Sequence, residues 1–138
     1  MSQTVLCPYL HFNGEAQDAL NFYQSVFGGE TQVVRFGDFP AMPVAEEMKN
    51  DIMHSQLKAS GMTLMLSDAT PLGELQAGKN FSVSVSGEDT ETLTKYFEGL
   101  SAGGTITEPL RMQQWGANFG MLVDKFGISW MVNITPAA

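Results

Sequence analysis

The chain has 138 residues, 43% of them hydrophobic, and a formal charge of −8 with 15 acidic against 7 basic residues. That is enough apolar material for one core, while the negative balance repels phosphate backbones and anionic headgroups and so argues against nucleic-acid and membrane partners. No apolar run reaches the roughly 18 residues of a bilayer span, and the start MSQTVLCPYL has neither a basic region nor a secretory core, which points to the cytoplasm. The single cysteine, Cys7, excludes an internal disulfide or a cysteine zinc site, and its apolar surroundings predict a buried thiol.

In chain order, YLHF at 9 to 12 reads as a strand and residues 16 to 27 as a helix, with Ala19, Leu20, Tyr23, Val26 and Phe27 on one stripe. Gly28 and Gly29 end it, since glycine accepts a left-handed conformation at little cost. A strand near 31 to 36 follows, then GDFPAMPVAEEMKND (37 to 51), a long connection whose Phe39, Met42 and Val44 suggest a lid or an interface arm. HSQLKA (54 to 59) and SGMTLMLS (60 to 67) form a hairpin around Gly61. The turn-rich stretch 68 to 79 is a join.

The pattern then repeats. Gly14, Glu15, Leu20 and Tyr23 return as Gly87, Glu88, Leu93 and Tyr96 at an offset of 73, and SGMTLMLS aligns with FGISWMVN (126 to 133) at an offset of 66. The second copy has a strand in FSVSVS, a helix over 89 to 101 ending at Gly103 and Gly104, a strand near 106 to 113, and a hairpin from FGMLVD (119 to 124) around Gly127. Each half reads βαβββ. Repeat one covers about 4–67 and repeat two about 80–134, and because neither covers its sheet alone, 1–138 is expected to be a single α+β domain.

Three stretches, PYLHFNGEAQDALNFYQSVFGGE (8 to 30), HSQLKASGMTLMLSD (54 to 68) and WGANFGMLVDKFGISWMVN (115 to 133), resemble the vicinal oxygen chelate superfamily of glyoxalases, bleomycin-resistance proteins and extradiol dioxygenases, and within it the PhnB-like branch. The resemblance implies a curved, mixed sheet of eight strands around a cavity, helices on the convex face, and a homodimer. Sequences of this branch often carry a 3-demethylubiquinone-9 3-methyltransferase label. The chain has no glycine-rich loop between strand and helix suited to a methyl-donor nucleotide, so the label alone does not assign the activity.

In metal-dependent members the resemblance implies four ligands, one from the first strand and one from the last of each half. Counting back from NFYQSVFGG places the first at Pro8 and, by the repeat, Phe81. DKFGISWMVN places the others at Met131 and Met65. None is a donor for a hard or borderline ion, so no metal and no other cofactor is expected. His11 is expected on the helix-covered face by strand alternation, His54 at a rim or dimer contact, and Asp68 and Asp124 at structural turns.

Alternation from those four positions predicts a cavity lined by Pro8, Leu10, Phe12, Met65, Ser67, Phe81, Val83, Met131 and Asn133, extended by Leu6, Thr63 and Ser129, with Trp115 over its mouth. Leu64, Leu66 and Trp130 are expected beneath the helices. An apolar lining with a few hydroxyls suits a small, largely apolar molecule, and methionine adapts to irregular contents. No GxSxG, Walker or HExxH pattern and no nucleophile and base pair emerges, so no catalytic residue is assigned. Two alternatives stand beside the binder reading: a lyase, isomerase or dioxygenase of the same superfamily, and a dimeric interaction protein whose cavity is filled by its own side chains.

Overall fold

The structure is a computed structural model that describes residues 4–38, 46–68, 78 and 80–135. The chain divides into two compact units, residues 1–76 and 77–138. Each builds the expected βαβββ unit.

In the first unit β1 (Tyr9–Phe12), α1 (Ala16–Phe27), β2 (Glu30–Arg35), β3 (Ile52–Ala59) and β4 (Met62–Asp68) form a four-stranded sheet in the order β1-β4-β3-β2. In the second, β5 (Val83–Gly87), α2 (Thr90–Ser101), β6 (Thr105–Met112), β7 (Asn118–Val123) and β8 (Ser129–Ile134) give the order β5-β8-β7-β6. The first strand of each unit pairs in parallel with the last, and the other pairings are antiparallel. The identical order is the structural form of the sequence repeat.

Each helix covers one face of its own sheet. Ala16, Ala19, Leu20 and Tyr23 are the buried stripe of α1, which lies over β3 and β4. Beneath it Leu10, Phe12, Leu57, Leu64 and Leu66 are buried. In α2 the stripe is Leu93, Phe97 and Leu100, set over Val85, Leu122, Trp130, Val132 and Ile134. Each such aliphatic or aromatic side chain contributes roughly 1.5–3 kcal/mol on burial. α2 lies close on β7 at Gly120, where a Cβ would stand 2.6 Å from Phe97 Cε1 and 2.9 Å from Leu110 Cα.

The second glycine of each helix-ending pair has a steric reason. A Cβ on Gly29 would meet the Lys58 carbonyl and Ala59, and one on Gly104 the Val123 carbonyl and Asp124, so in both units the chain leaves its helix directly against a hairpin backbone.

Two buried carboxylates organise the turns. Asp68, at the end of β4, accepts hydrogen bonds from the backbone amides of Ala16 (3.0 Å) and Ile52 (2.9 Å). It thereby caps α1, whose own N-cap residue Glu15 makes no side-chain cap. Asp124 accepts from the Phe126 and Ile128 amides and from Trp130 Nε1 (2.8, 3.0 and 2.8 Å), closing the β7–β8 hairpin and holding the indole. In the second unit α2 is capped by Asp89, which accepts from the Thr92 amide at 3.1 Å.

Several expectations shift. Asp68 belongs to β4 rather than to the join. Cys7 is partly exposed, because it lies ahead of β1, outside the strand that α1 covers. The connection expected as a lid or arm has its ends in two short 3₁₀ turns, Phe36–Asp38 and Glu46–Met48; Phe39, Met42 and Val44 lie outside the described residues.

Candidate functional site on the far face of the first sheet

The parallel register of β1 against β4 decides which side chains share a face. Tyr9 stands beside Met65, Leu10 beside Leu66, His11 beside Ser67 and Phe12 beside Asp68. Asp68 reaches the start of α1, so Leu10, Phe12, Leu64 and Leu66 are on the helix-covered face by alternation. Tyr9, His11, Thr63, Met65 and Ser67 are on the far face. The expectation is therefore corrected at three residues of β1: Leu10 and Phe12 belong to the core under α1, at 2% and 4% exposure, and His11 faces away from the helix. The error has a physical origin. Counting back from the helix through the Asn13–Glu15 turn assumes the turn's length, and a slip of one residue exchanges the two faces of a strand.

On this far face the side chains are joined. The Tyr9 hydroxyl is hydrogen-bonded to His54 Nδ1 at 2.7 Å, and His11 Nδ1 to Ser67 Oγ at 2.8 Å. The Tyr9 and His11 rings stack with centroids 4.8 Å apart and planes 21° from parallel, and Tyr9 meets His54 edge-on at 5.4 Å. Along β3, Gln56 follows His54 on the same face and donates from Nε2 to Gln32 Oε1 at 3.1 Å. The result is an aromatic and polar surface whose two imidazoles are each oriented by a hydroxyl.

Beside it lies a pocket of about 390 Å³ along the β3–β4 hairpin, lined by Val5, Gln56, Lys58, Ala59, Ser60, Gly61, Met62, Thr63 and Met65. Met65 connects the two features, since it lines the pocket and pairs with Tyr9 on one side and Gln56 on the other. The pocket is shallow, and its volume is within the range of small-molecule sites.

The second unit presents the same positions with different chemistry. Met131 and Asn133 on β8 are the counterparts of Met65 and Ser67, but their β5 partners are Ser84 and Ser86 where β1 supplies Tyr9 and His11. Ser84 and Ser86 hydroxyls are 3.3 Å apart, and Asn133 Nδ2 donates to Thr135 Oγ1 at 3.3 Å. Val83, expected in the cavity, is corrected to the helix side. It shares a face with Val85 and Gly87, and a Cβ on Gly87 would touch Leu93 of α2 at 3.5 Å. The same count through a turn produced both errors.

The remaining expected residues are placed as follows. Pro8 is exposed ahead of β1, with its carbonyl accepting from the Met65 amide at 3.0 Å. Phe81 is exposed ahead of β5, and Leu6 is fully exposed. Trp115 is in the β6–β7 connection, 64% exposed and edge-on to Phe119 at 5.7 Å. Of the four positions expected to match metal ligands, Met65 and Met131 are on far faces, and none of the four carries a hard donor. Among the described residues no three of His, Cys, Asp or Glu converge into a metal-holding group. The side chains at these four positions do not fit the metal that the fold family implies. Sequence reasoning missed Tyr9, His11, Gln56 and Val5. The signal that finds the first two is the local alternation in YLHF, which puts Leu10 and Phe12 on one side and Tyr9 and His11 on the other.

Paired βαβββ units in this strand order define the class: a protein of the glyoxalase, bleomycin-resistance and dioxygenase fold, shared with solved members at TM-scores of 0.60 and 0.61. More narrowly, the model of the family described as 3-demethylubiquinone-9 3-methyltransferase matches residues 4–133, and the chain belongs to that family. Protein PA1353 from Pseudomonas aeruginosa is 34% identical, with a TM-score of 0.87 over 98% of this chain and all of that one. The PhnB protein from Bacillus cereus, described as a putative 3-demethylubiquinone-9 3-methyltransferase, is 26% identical at a TM-score of 0.74, covering 96% of this chain and 100% of its own. Protein YjdN of Escherichia coli K12 is 32% identical over 94% of each chain.

Proposed function

We propose that this protein binds a small, largely apolar molecule on the far face of its first sheet, without a metal ion and without a covalent step. The observation that carries the reading is the pocket beside Met65, where Val5, Met62 and Met65 offer apolar and polarisable surface and Gln56 and Thr63 offer hydrogen-bonding groups. The asymmetry between the units favours the first one, because only there do aromatic and imidazole groups adjoin the methionine position that recurs in both units.

The metal-free part of the reading is supported by the donor set, which lacks a convergent group among the described residues. The family's description denotes methyl transfer. The β1–α1 turn, however, contains one glycine, Gly14, and so lacks the glycine-rich cradle that would approach a nucleotide closely. The proposal includes a cytoplasmic homodimer. Leu6, Ile106, Met112 and Trp115 are large exposed apolar side chains that a second copy would cover, and no described helix is long and apolar enough to cross a membrane.

Native mass spectrometry of untagged protein tests all three parts in one spectrum. A metal-free dimer that takes up a small apolar molecule is expected. One bound metal ion per chain overturns the metal-free reading, and a monomer at micromolar concentration overturns the dimer.

A further inference from the structure

The pocket's charge is opposite to that of the chain. Acidic residues outnumber basic ones by 15 to 7 overall, yet the residues lining this pocket include one cation, Lys58, and no carboxylate. The ion pairs formed among the described residues use Lys49, Lys95 and Arg111. Lys58 forms none with a described residue. Its cross-strand neighbours are Glu30 on β2 and Thr63 on β4, and Lys58 and Glu30 form no ion pair. A flexible ammonium at the rim of an apolar pocket, held by no described carboxylate, is placed to meet an incoming negative charge.

We infer that the pocket selects small monoanions with an apolar body, the class of medium-chain carboxylates, with Lys58 as the counter-ion. This rests on the binding reading above and adds the charge of the ligand to it. The carboxylate lies at the Lys58 end, within reach of the Thr63 hydroxyl on the adjacent strand, and the chain runs over Val5, Met62 and Met65. Apolar burial supplies most of the affinity, and the ammonium supplies preference. In an acidic protein that preference has a further effect: general repulsion keeps anions away from the surface, so an anion is retained only where a local cation outweighs the field.

The experiment compares octanoate with 1-octanol by isothermal titration calorimetry, since the two share an apolar chain and differ in the charged head. Wild type is expected to bind octanoate about two- to fivefold more tightly than octanol, the range of an exposed ion pair, and this preference is expected to shrink at high salt. Lys58→Met is expected to abolish the preference, so that octanoate and octanol bind the variant alike, and Glu30→Gln to strengthen octanoate about twofold by removing the neighbouring carboxylate. Equal binding of both probes by wild type, or an octanoate preference that survives Lys58→Met, overturns the inference and leaves the pocket standing. Binding of neither probe overturns the pocket reading itself.

Discussion

Replacing Asp68 removes the acceptor of two buried backbone amides at once. Ala16 and Ile52 are both fully buried, and their N–H groups are 3.0 and 2.9 Å from the two oxygens of this carboxylate. Asp68→Ala leaves both donors without a partner in a space too enclosed for easy rehydration. Each such loss costs about 1–3 kcal/mol, so the expected destabilisation is about 2–6 kcal/mol, a large share of the 5–15 kcal/mol that holds a typical domain together. Asp68→Asn keeps one carbonyl oxygen and turns an NH₂ toward the other donor, for an expected loss of about 2 kcal/mol. Urea unfolding followed by circular dichroism reads both. With a slope of about 2 kcal/mol per molar, the midpoint falls by about 2 M for alanine and about 1 M for asparagine, at unchanged slope. If both variants unfold within about 0.5 kcal/mol of wild type, Asp68 does not cap α1 in the way described.

Three other outcomes are expected. Gly120→Ala pushes a methyl group against Phe97 Cε1 and the Leu110 backbone and destabilises by about 1–3 kcal/mol, read as a lower melting temperature; an unchanged value means that α2 does not pack this closely on β7. The Thr92 backbone amide and then its hydroxyl hold the Asp89 carboxyl below the usual carboxylate range, so the stabilisation is complete above the unfolded-state pKa and is lost as pH falls through the lower folded value. Asp89→Asn cannot titrate, so the stability difference between wild type and variant is expected to change as pH is taken from about 6 to about 3, and a constant difference refutes the cap. Tyr9→Phe removes the 2.7 Å bond to His54 but keeps the ring stacked on His11, so nitrogen NMR is expected to show altered His54 ring signals with those of His11 nearly unchanged.

The sequence's own repeat made the fold legible. The helices at 16 to 27 and 89 to 101, the hairpins around Gly61 and Gly127 and the matching order of strands all followed from periodicity and glycine placement, because those signals are local. Facing was harder. In YLHF and SVSVS the alternation of apolar and polar residues already separates Leu10 and Phe12 from Tyr9 and His11, and Val83 and Val85 from Ser84 and Ser86. Counting from a distant anchor through a turn overrode that pattern and inverted three lining residues together with His11. Met65 and Met131 escaped the inversion because their anchor, the last hairpin, connects to them without an intervening turn of uncertain length. The Tyr9–His54 bond was not legible at all, since it joins residues 45 apart in sequence through a parallel register that no local pattern encodes.

The two copies begin their helices by different means, and this gives them different histories during folding. Asp89 caps α2 from three residues away, so the start of that helix can form while the rest of the chain is still unstructured. Asp68 caps α1 across a separation of 52 residues, which requires loop closure and a formed β4 before the cap exists. A twelve-residue helix is marginal on its own, so the start of α1 is expected to depend on the assembly of its sheet in a way that the start of α2 does not. The two halves share an architecture but draw on different ranges of sequence to start their helices.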